Sequence, residues 1–261
     1  MKFSEISSLL RGVPFISELN AHFLYDLIAN NDVENILELG IAHGTATCYM
    51  AAALQQRGRG RIDAVDLKGA DYRPSAEEQV SRHGFGGLVT IHREQTGYNW
   101  FLRKAIRDNT VNDQCQPVYD LCIIDGPKNW TIDSSAFFLA DKLLKPGGWL
   151  IFDDYSWTYG LADMQRDVTD GITHRLLSEE EMRTPHIREV FELLVKQHPD
   201  YGHLIVKEDS DWAIARKVAS PQKSYSVVYD ESALGIFGKL ARKAYHRLKR
   251  RDSGRPSKLA S

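Results

Sequence analysis

The chain alternates short apolar runs with longer segments whose apolar residues recur at helical spacing. Strand-like runs lie at residues 36–39, 61–66, 89–92, 118–125 and 149–152. Helical spacing or helix-forming composition is found at residues 17–29, 45–56, 76–80, 98–107 and 134–144. A strand is a short apolar or alternating run, whereas an amphipathic helix repeats its apolar positions every three or four residues. The pattern therefore predicts strands and helices in alternation.

This alternation favours one fold class. It predicts an α/β fold with a doubly wound, Rossmann-like and mostly parallel sheet whose crossovers are right-handed. Residues 118–125 are apolar at almost every position, as in a parallel strand covered on both faces. Further along, Thr184 followed by Pro185 predicts a helix start, and residues 202–206 and 212–215 predict a closing antiparallel hairpin. We expect one domain over residues 1–218.

Residues 219–261 are predicted to form a polar linker and a basic amphipathic C-terminal tail. The whole chain has 33 basic and 35 acidic side chains, but residues 235–261 hold nine Lys or Arg against the single acid Asp252. The tail is thus +8, and the remainder is −10 because the net charge is −2. Such a helix can touch an anionic membrane surface or nucleic acid by charge alone, or be solvated without a partner. No specific nucleic-acid partner is expected, and the oligomeric state stays open.

Composition favours a reduced, cytoplasmic protein. The three cysteines, Cys48, Cys115 and Cys122, are too few and too scattered for a disulfide framework or a zinc site. No apolar run approaches the length of a membrane span. The expected location is the cytoplasm, with peripheral membrane contact through the basic tail as an open alternative.

Residues 36–47 join a strand to a helix through a glycine-containing bend, ILELGIAHGTAT. Such a bend places backbone N–H groups and the positive end of a helix around one point, which suits an anionic or nucleotide-like ligand. An ordinary strand-to-helix turn is the plain alternative, since isolated glycine spacings are common. A dinucleotide site fits poorly, because its Gly-x-Gly-x-x-Gly fingerprint would need glycine where Ala42 and Thr45 stand.

The bend resembles the first motif of the class I S-adenosylmethionine-dependent methyltransferases, Glu-x-Gly-x-x-x-Gly-Thr/Ser. The resemblance implies that this loop holds the amino-acid end of S-adenosylmethionine and that Glu38 organises that end. The loop residues assigned to the cofactor in this way are Glu38, Gly40, Ala42, His43, Gly44 and Thr45.

Two later strand ends extend the cofactor site. Asp66 ends the second predicted strand, where an acid can accept hydrogen bonds from both ribose hydroxyls of a nucleoside. Gln95 lies just past the third strand, where the family often carries an acid that contacts adenine. Glutamine departs from that pattern, although its side chain can still form a hydrogen bond there.

Asp125, Asp153 and Asp154 end two strands that should be neighbours in the sheet. Three converging carboxylates repel one another unless they are protonated or bridged by a cation, and Mg²⁺ prefers oxygen ligands. The surrounding sequences resemble metal-dependent small-molecule O-methyltransferases of the macrocin (sugar-modifying) type. The resemblance implies that the three acids bind a divalent metal that holds the acceptor hydroxyl. Alternatively, Asp125 contacts cofactor or substrate, and the other two acids cap the next helix.

The general base does not carry over from this resemblance. The sugar-modifying relatives have an acid two residues after the first metal ligand, where this chain has Pro127 and then Lys128. Lys128 could act as the base if desolvation lowered its pKa, or it could steady a negative acceptor. His43 and His186 have weaker claims. We therefore predict Lys128 and Asp125 as the catalytic residues.

Four aromatic residues lie near the same strand ends in the sequence, either as a stacking wall for a ring-shaped acceptor or as core. They are Trp130, Tyr155, Trp157 and Tyr159. Together the motifs predict an S-adenosylmethionine-dependent O-methyltransferase that acts on a small hydroxylated acceptor such as a sugar, glycan or natural product. An NAD(P)-dependent oxidoreductase and a non-catalytic module that works through the basic tail remain alternatives.

Overall fold

The computed structural model describes residues 1–161 and 177–218. The strands of the main sheet are β1 (Asn35–Leu39), β2 (Arg61–Leu67), β3 (Val89–Glu94), β6 (Tyr119–Ile124), β7 (Leu144–Phe152), β8 (Tyr201–Lys207) and β9 (Trp212–Lys217). A separate small hairpin consists of β4 (Thr110–Val111) and β5 (Gln114–Cys115).

The main sheet has the strand order β3-β2-β1-β6-β7-β9-β8. Neighbours from β3 to β7 pair in parallel, and β9 runs antiparallel to both β7 and β8. The predicted mostly parallel, doubly wound sheet with a closing antiparallel hairpin is therefore confirmed. The strand order reverses between β1 and β6, and a ligand crevice is expected outside the carboxyl ends of strands at such a point.

Helices cover both faces of the sheet. The described helices are α1 (Phe3–Leu9), α2 (Glu18–Asn30), α3 (Thr45–Arg57), α4 (Ala76–Arg82), α5 (Tyr98–Asp108), α6 (Trp130–Leu143), α7 (Glu179–Arg183) and α8 (His186–Glu189), the last continuing into a π-helix (Val190–Val195). The packing on both faces of β1 explains why its apolar run is nearly continuous. Ile36 packs with residues of α1 to α4, whereas Leu37 and Leu39 pack on the opposite face with residues of α5 and α6.

Helix α6 begins four residues before the position predicted from its apolar spacing. The Asn129 side chain accepts hydrogen bonds from the backbone N–H groups of Thr131 (3.0 Å) and Ile132 (3.2 Å). An N-cap of this kind satisfies N–H groups that have no partner within the helix. The N-cap Asn129 therefore follows Lys128 directly, and α6 begins one residue later. This start places the first turn of α6 beside the strand ends that carry the acids.

The prediction that the Thr184 hydroxyl caps the helix beginning at Pro185 is wrong. The Thr184 hydroxyl donates to the carbonyl oxygen of Glu180 (2.8 Å), so it packs back on α7 instead of capping the next helix. Helix α8 starts after Pro185, and no side chain in the described part of the chain caps it. A threonine hydroxyl can bond to the carbonyl four residues earlier as readily as it can cap, and the sequence does not distinguish the two.

Within residues 1–161 and 177–218, no helix is both long enough and apolar enough to cross a membrane. The predicted linker and basic tail at residues 219–261 lie outside the described residues. The predicted boundary at residue 218 and the membrane contact of the tail therefore stay predictions.

Candidate active site

The first glycine bend touches the backbone of the strand end that carries Asp125. The Asp125 N–H donates to Leu39 O, and the Gly40 N–H donates to Val65 O, both at 2.8 Å. Gly40 has a φ of +91°, and a Cβ at this position would collide with the carbonyl of Asp125. Only glycine combines this conformation with such close backbone contact. The bend therefore brings the predicted cofactor loop directly against the predicted acid site.

The other polar residues of the loop bond to neighbouring segments. Gly44 precedes α3 in a left-handed conformation with a φ of +74°. A ring nitrogen of His43 lies 2.7 Å from the carbonyl oxygen of Pro74, and the Thr45 hydroxyl donates to Pro14 O at 2.9 Å. These contacts fix the path of the loop.

Glu38 lies beneath the loop, not on its surface. Its side chain accepts a hydrogen bond from the Thr47 hydroxyl (2.6 Å), and the residue is only 2% exposed. Burial raises the pKa of Glu38 to about 8, the Thr47 hydrogen bond opposes this rise, and the charges of Asp125 and Asp66 add to it. The Glu38 carboxyl is therefore largely protonated at neutral pH, and it supports the loop from inside.

Replacing Glu38 with glutamine is expected to change how stability depends on pH. The pKa of Glu38 is about 8 in the folded state against an ordinary value of 4.5. Between these values the folded state holds more protons than the unfolded state, so this group makes wild-type stability fall as pH rises, by up to about 1.4 kcal/mol per pH unit. Glutamine keeps an acceptor for Thr47 but does not titrate. Urea unfolding should show that Glu38→Gln gains stability relative to wild type as the pH rises through this window. Parallel plots of unfolding free energy against pH would contradict the assignment.

Asp66 is bonded to the same loop. One carboxylate oxygen accepts from the backbone N–H groups of Ile41 (3.2 Å) and Ala42 (3.0 Å), and the other accepts from the N–H of Leu67 (2.7 Å). The predicted ribose acid thus stands at the carboxyl edge of the sheet with its orientation fixed by three N–H groups.

Gln95 is exposed just after β3, while the preceding Glu94 is buried and pairs with Lys104 of α5. Side chains alternate between faces along a strand, so Glu94 belongs to the packing under α5 and Gln95 lies at the edge. The adenine contact of Gln95 stays a prediction.

The three acids predicted as metal ligands come together. Asp125, Asp153 and Asp154 each offer a carboxylate oxygen, and these oxygens lie within 4.8 Å of one another. The Lys128 ammonium is 2.8 Å from Asp125 Oδ1 and 3.1 Å from Asp154 Oδ2. The Trp212 indole N–H donates to Asp153 Oδ1 at 2.6 Å. We call Asp125, Lys128, Asp153 and Asp154 the acid–lysine cluster.

The segment that contains the glycine bend and the acid–lysine cluster matches a known family. A model described as a methyltransferase domain matches residues 37–155, from within β1 to just past Asp154. Residues 37–155 are thus similar to a methyltransferase domain along their whole length. The prediction of a class I methyltransferase is thereby confirmed, whereas the narrower resemblance to the macrocin type stays a prediction.

Relatives of this methyltransferase domain are found among both sequences and structures. A candidate caffeoyl-CoA O-methyltransferase of Arabidopsis thaliana is 28% identical over 150 residues, which are 57% of this chain and 58% of that protein. The chain spans about three fifths of the length of the curated relatives it matches.

Two solved structures show the same fold. The O-methyltransferase TomG from Streptomyces achromogenes, in complex with S-adenosylmethionine, has a TM-score of 0.56 and 19% identity and covers 83% of this chain and 89% of its own. An O-methyltransferase from Bacillus cereus, in complex with S-adenosylhomocysteine, has a TM-score of 0.55 and 20% identity and covers 83% and 90%.

The charges of the acid–lysine cluster in the methyltransferase domain are coupled. Burial, together with the charges of Asp125 and Asp154, raises the pKa of Asp153 to about 8. Burial also raises the pKa of Asp125, and the ammonium of Lys128 opposes that rise. Burial and mutual repulsion both disfavour three ionised carboxylates here, and a cation relieves both effects.

The general-base role considered for Lys128 depends on a lowered pKa, and the structure favours the opposite shift; its catalytic role stays a prediction. Burial alone would lower the pKa of Lys128, but the carboxylates of Asp125 and Asp154 outweigh burial and raise it well above its usual range. A raised pKa favours the ammonium form of Lys128, which has no lone pair with which to accept a proton. It can still hold negative charge on an acceptor oxygen.

His186 forms a structural bridge between helices. Its Nδ1 accepts from the backbone N–H of Trp130 (3.1 Å), and its Nε2 lies 2.9 Å from the carbonyl oxygen of Glu181. Burial lowers the pKa of His186. These contacts favour a structural role, as the Pro74 contact does for His43.

A buried pair that the sequence motifs do not mark lies beneath the loop at residues 125–129. The Tyr98 hydroxyl donates a short hydrogen bond to Asp133, whose other oxygen accepts from the N–H of Asn129 (2.7 Å). Gly126 packs against the Tyr98 ring, and a Cβ on Gly126 would overlap it. The pair thus supports the turn that carries Lys128. An acid in the first turn of α6 was its only sequence signal, and such acids are common.

The aromatic residues near the site have different environments. Tyr159 is buried, its hydroxyl donates to Pro127 O (2.8 Å), and its ring packs edge-on against Trp157 and His186. Trp130 is 36% exposed and lines a cavity of about 510 Å³ beside the first turn of α6. Tyr159 therefore belongs to the support of the loop, and Trp130 is available to a ligand.

Proposed function

We propose that this chain is an S-adenosylmethionine-dependent O-methyltransferase for a small hydroxylated acceptor. One observation carries the proposal: the glycine bend, fixed to Asp66, packs directly against the Asp125 end of the acid–lysine cluster. A methyl donor on the bend and an acceptor at the cluster would therefore be neighbours. The cofactors reported with TomG and with the Bacillus cereus enzyme support this choice of donor.

The protein's part in the reaction is to position the two reactants. In methyl transfer, the acceptor oxygen attacks the sulfonium methyl carbon, and the carbon–sulfur bond breaks with its electron pair left on sulfur. The products are a methyl ether, S-adenosylhomocysteine and the proton of the acceptor hydroxyl, which passes to solvent. Asp66 and the bend hold the nucleoside and its amino-acid end, which fixes the methyl group for in-line attack. The Lys128 ammonium stabilises negative charge on the acceptor oxygen in a partly buried setting.

The acid–lysine cluster also fits a divalent metal. Asp125, Asp153 and Asp154 would hold it, because they supply converging carboxylate oxygens of the type that Mg²⁺ prefers. A bound metal would lower the pKa of the acceptor hydroxyl. Lys128 now contacts two of these carboxylates, so metal and ammonium would compete for the same oxygens.

The acceptor is proposed to be a small organic molecule with a hydroxyl group. The cavity beside Trp130 has about 510 Å³, and Ile132, Leu177 and Leu193 contribute apolar side chains to its lining. Cavities of this size and character take small molecules. A sugar, a sugar unit of a glycan or a natural product fits this description.

Two measurements test the proposed function. Isothermal titration should show binding of S-adenosylhomocysteine and none of NADH. A panel of hydroxylated acceptors with methyl-labelled S-adenosylmethionine, in Mg²⁺ and in EDTA, should show label transfer to oxygen. Binding of NADH alone would favour an oxidoreductase, and cofactor binding without transfer to any acceptor would favour a non-catalytic module.

A further inference from the structure

Arg93 of β3 stands directly across from the predicted ribose acid. Asp66 and Arg93 are partners in the parallel register of β2 and β3, so their side chains leave the same face of the sheet. The Arg93 Nη1 atom lies 3.8 Å from Asp66 Oδ2. This is close enough for strong electrostatic attraction but too long for a hydrogen bond.

The Arg93 guanidinium is held in place from its other edge. Its Nε and Nη2 atoms each donate to the Glu77 carboxylate of α4 at 2.9 Å. A two-point pair of this kind fixes the plane of the guanidinium as well as its position. The next residue back, Ala76, packs against Gly44 of the cofactor loop. Helix α4 thus anchors both the loop and the arginine beside Asp66.

The remaining end of the guanidinium is enclosed by protein. Among the residues that the structure describes, Arg93 Nη1 is enclosed and bonds to no oxygen. Buried polar groups in proteins almost always have a hydrogen-bond partner, so a buried N–H group without one needs an explanation, and a functional role is one such explanation. Here the donor faces the acid that the proposed function assigns to the ribose.

We propose that Arg93 is a positioning residue for the nucleoside cofactor, acting through Asp66. Its charge and fixed plane keep the Asp66 carboxylate turned so that both oxygens can accept from the ribose hydroxyls. The inference rests on the proposed function, because it needs a nucleoside at Asp66. Nothing in the sequence motifs marks this residue, since the family resemblance at β3 concerns position 95.

The test compares Arg93→Gln with wild type by isothermal titration, using S-adenosylhomocysteine and its 2′-deoxyribose analogue. Losing the charge should weaken S-adenosylhomocysteine binding about tenfold, as expected for one charge-assisted interaction. Wild type should prefer the ribose form over the deoxy analogue, and Arg93→Gln should lose most of that preference. Arg93→Lys keeps the charge without the two-point pair. Its affinity and its ribose preference should lie between those of wild type and Arg93→Gln. Arg107→Gln is the matched control, since Arg107 pairs with Asp108 at an exposed site.

The outcomes separate this inference from the proposed function. If wild type binds S-adenosylhomocysteine and folded Arg93→Gln binds it equally well, the inference is overturned and the proposed function stands. An equal loss for both ligands also overturns it, because a purely structural role would not discriminate between the sugars. If Arg93→Gln fails to fold, Glu77→Gln releases the guanidinium and should shrink the ribose preference in the same direction; an unchanged preference overturns the inference. If wild type does not bind S-adenosylhomocysteine, both fail.

Discussion

Asp66→Ala is expected to weaken binding of S-adenosylhomocysteine by about a hundredfold or more. The carboxylate would accept from two ribose hydroxyls, and hydrogen bonds to a charged group contribute about 1.5–3 kcal/mol each. The same substitution removes the acceptor of the Ile41 and Ala42 N–H groups, so the bend that holds the amino-acid end would also lose its anchor. Isothermal titration measures the loss.

Asp71→Ala is the control for Asp66→Ala. Asp71 is an exposed acid a few residues later in the chain, paired with the exposed Arg73. The Asp71→Ala variant should bind S-adenosylhomocysteine with the affinity of wild type. Unchanged affinity in folded Asp66→Ala would remove the ribose role of this acid and would also remove the basis for Arg93.

Lys128→Met is expected to lower the melting temperature in EDTA and to make it respond more strongly to Mg²⁺ than that of wild type. Methionine has a similar length but no charge, so Asp125, Asp153 and Asp154 would face one another without a cation. Removing one partner of a buried ion pair costs about 3–5 kcal/mol. Mg²⁺ would then bind the carboxylates without competition from the ammonium. Turnover should fall about a hundredfold or more, because the charge that steadies the acceptor oxygen is gone.

Lys104→Met is the matched control for Lys128→Met. Lys104 also pairs with a largely buried carboxylate, Glu94, but it is not part of the acid–lysine cluster. Its melting temperature should fall without any added response to Mg²⁺. Equal Mg²⁺ responses in Lys128→Met and wild type would contradict competition for the same oxygens, and full wild-type turnover in EDTA would show that methyl transfer needs no metal.

The fold could be predicted because a parallel sheet covered on both faces produces a strong sequence pattern. β1 and β6 are buried on both sides, so they appear as short, almost fully apolar runs, and the helices between them have regular apolar spacing. The predicted ends of the helices were less accurate, since a helix cap depends on the direction that one side chain takes. Asn129 caps α6 earlier than the spacing indicates, and Thr184 bonds backward to Glu180.

The site could be predicted only to the extent that its residues stand at strand ends. Asp66, Asp125, Asp153 and Asp154 follow apolar runs, and topology alone brings strand ends together. The raised pKa of Lys128 depends on two carboxylates that follow different strands, which the sequence places 3 and 26 residues away without fixing a distance.

Arg93 was missed for a related physical reason. It is the last residue but one of β3, and only the register of β2 against β3 shows that it lies level with Asp66 and faces it. A charged residue in an edge strand is ordinary by itself. Its significance depends on the pairing with Glu77 and on the buried Nη1, which bonds to no oxygen of the described residues, and neither feature leaves a sequence signal.

The most direct measurement of the central claim is a crystal structure of the protein soaked with S-adenosylhomocysteine. The nucleoside is expected to lie across the carboxyl ends of β1 and β2, with its ribose hydroxyls on the Asp66 carboxylate and its homocysteine end at residues 40–44. A nucleoside bound elsewhere, or a crevice blocked by side chains at saturating ligand, would contradict the account.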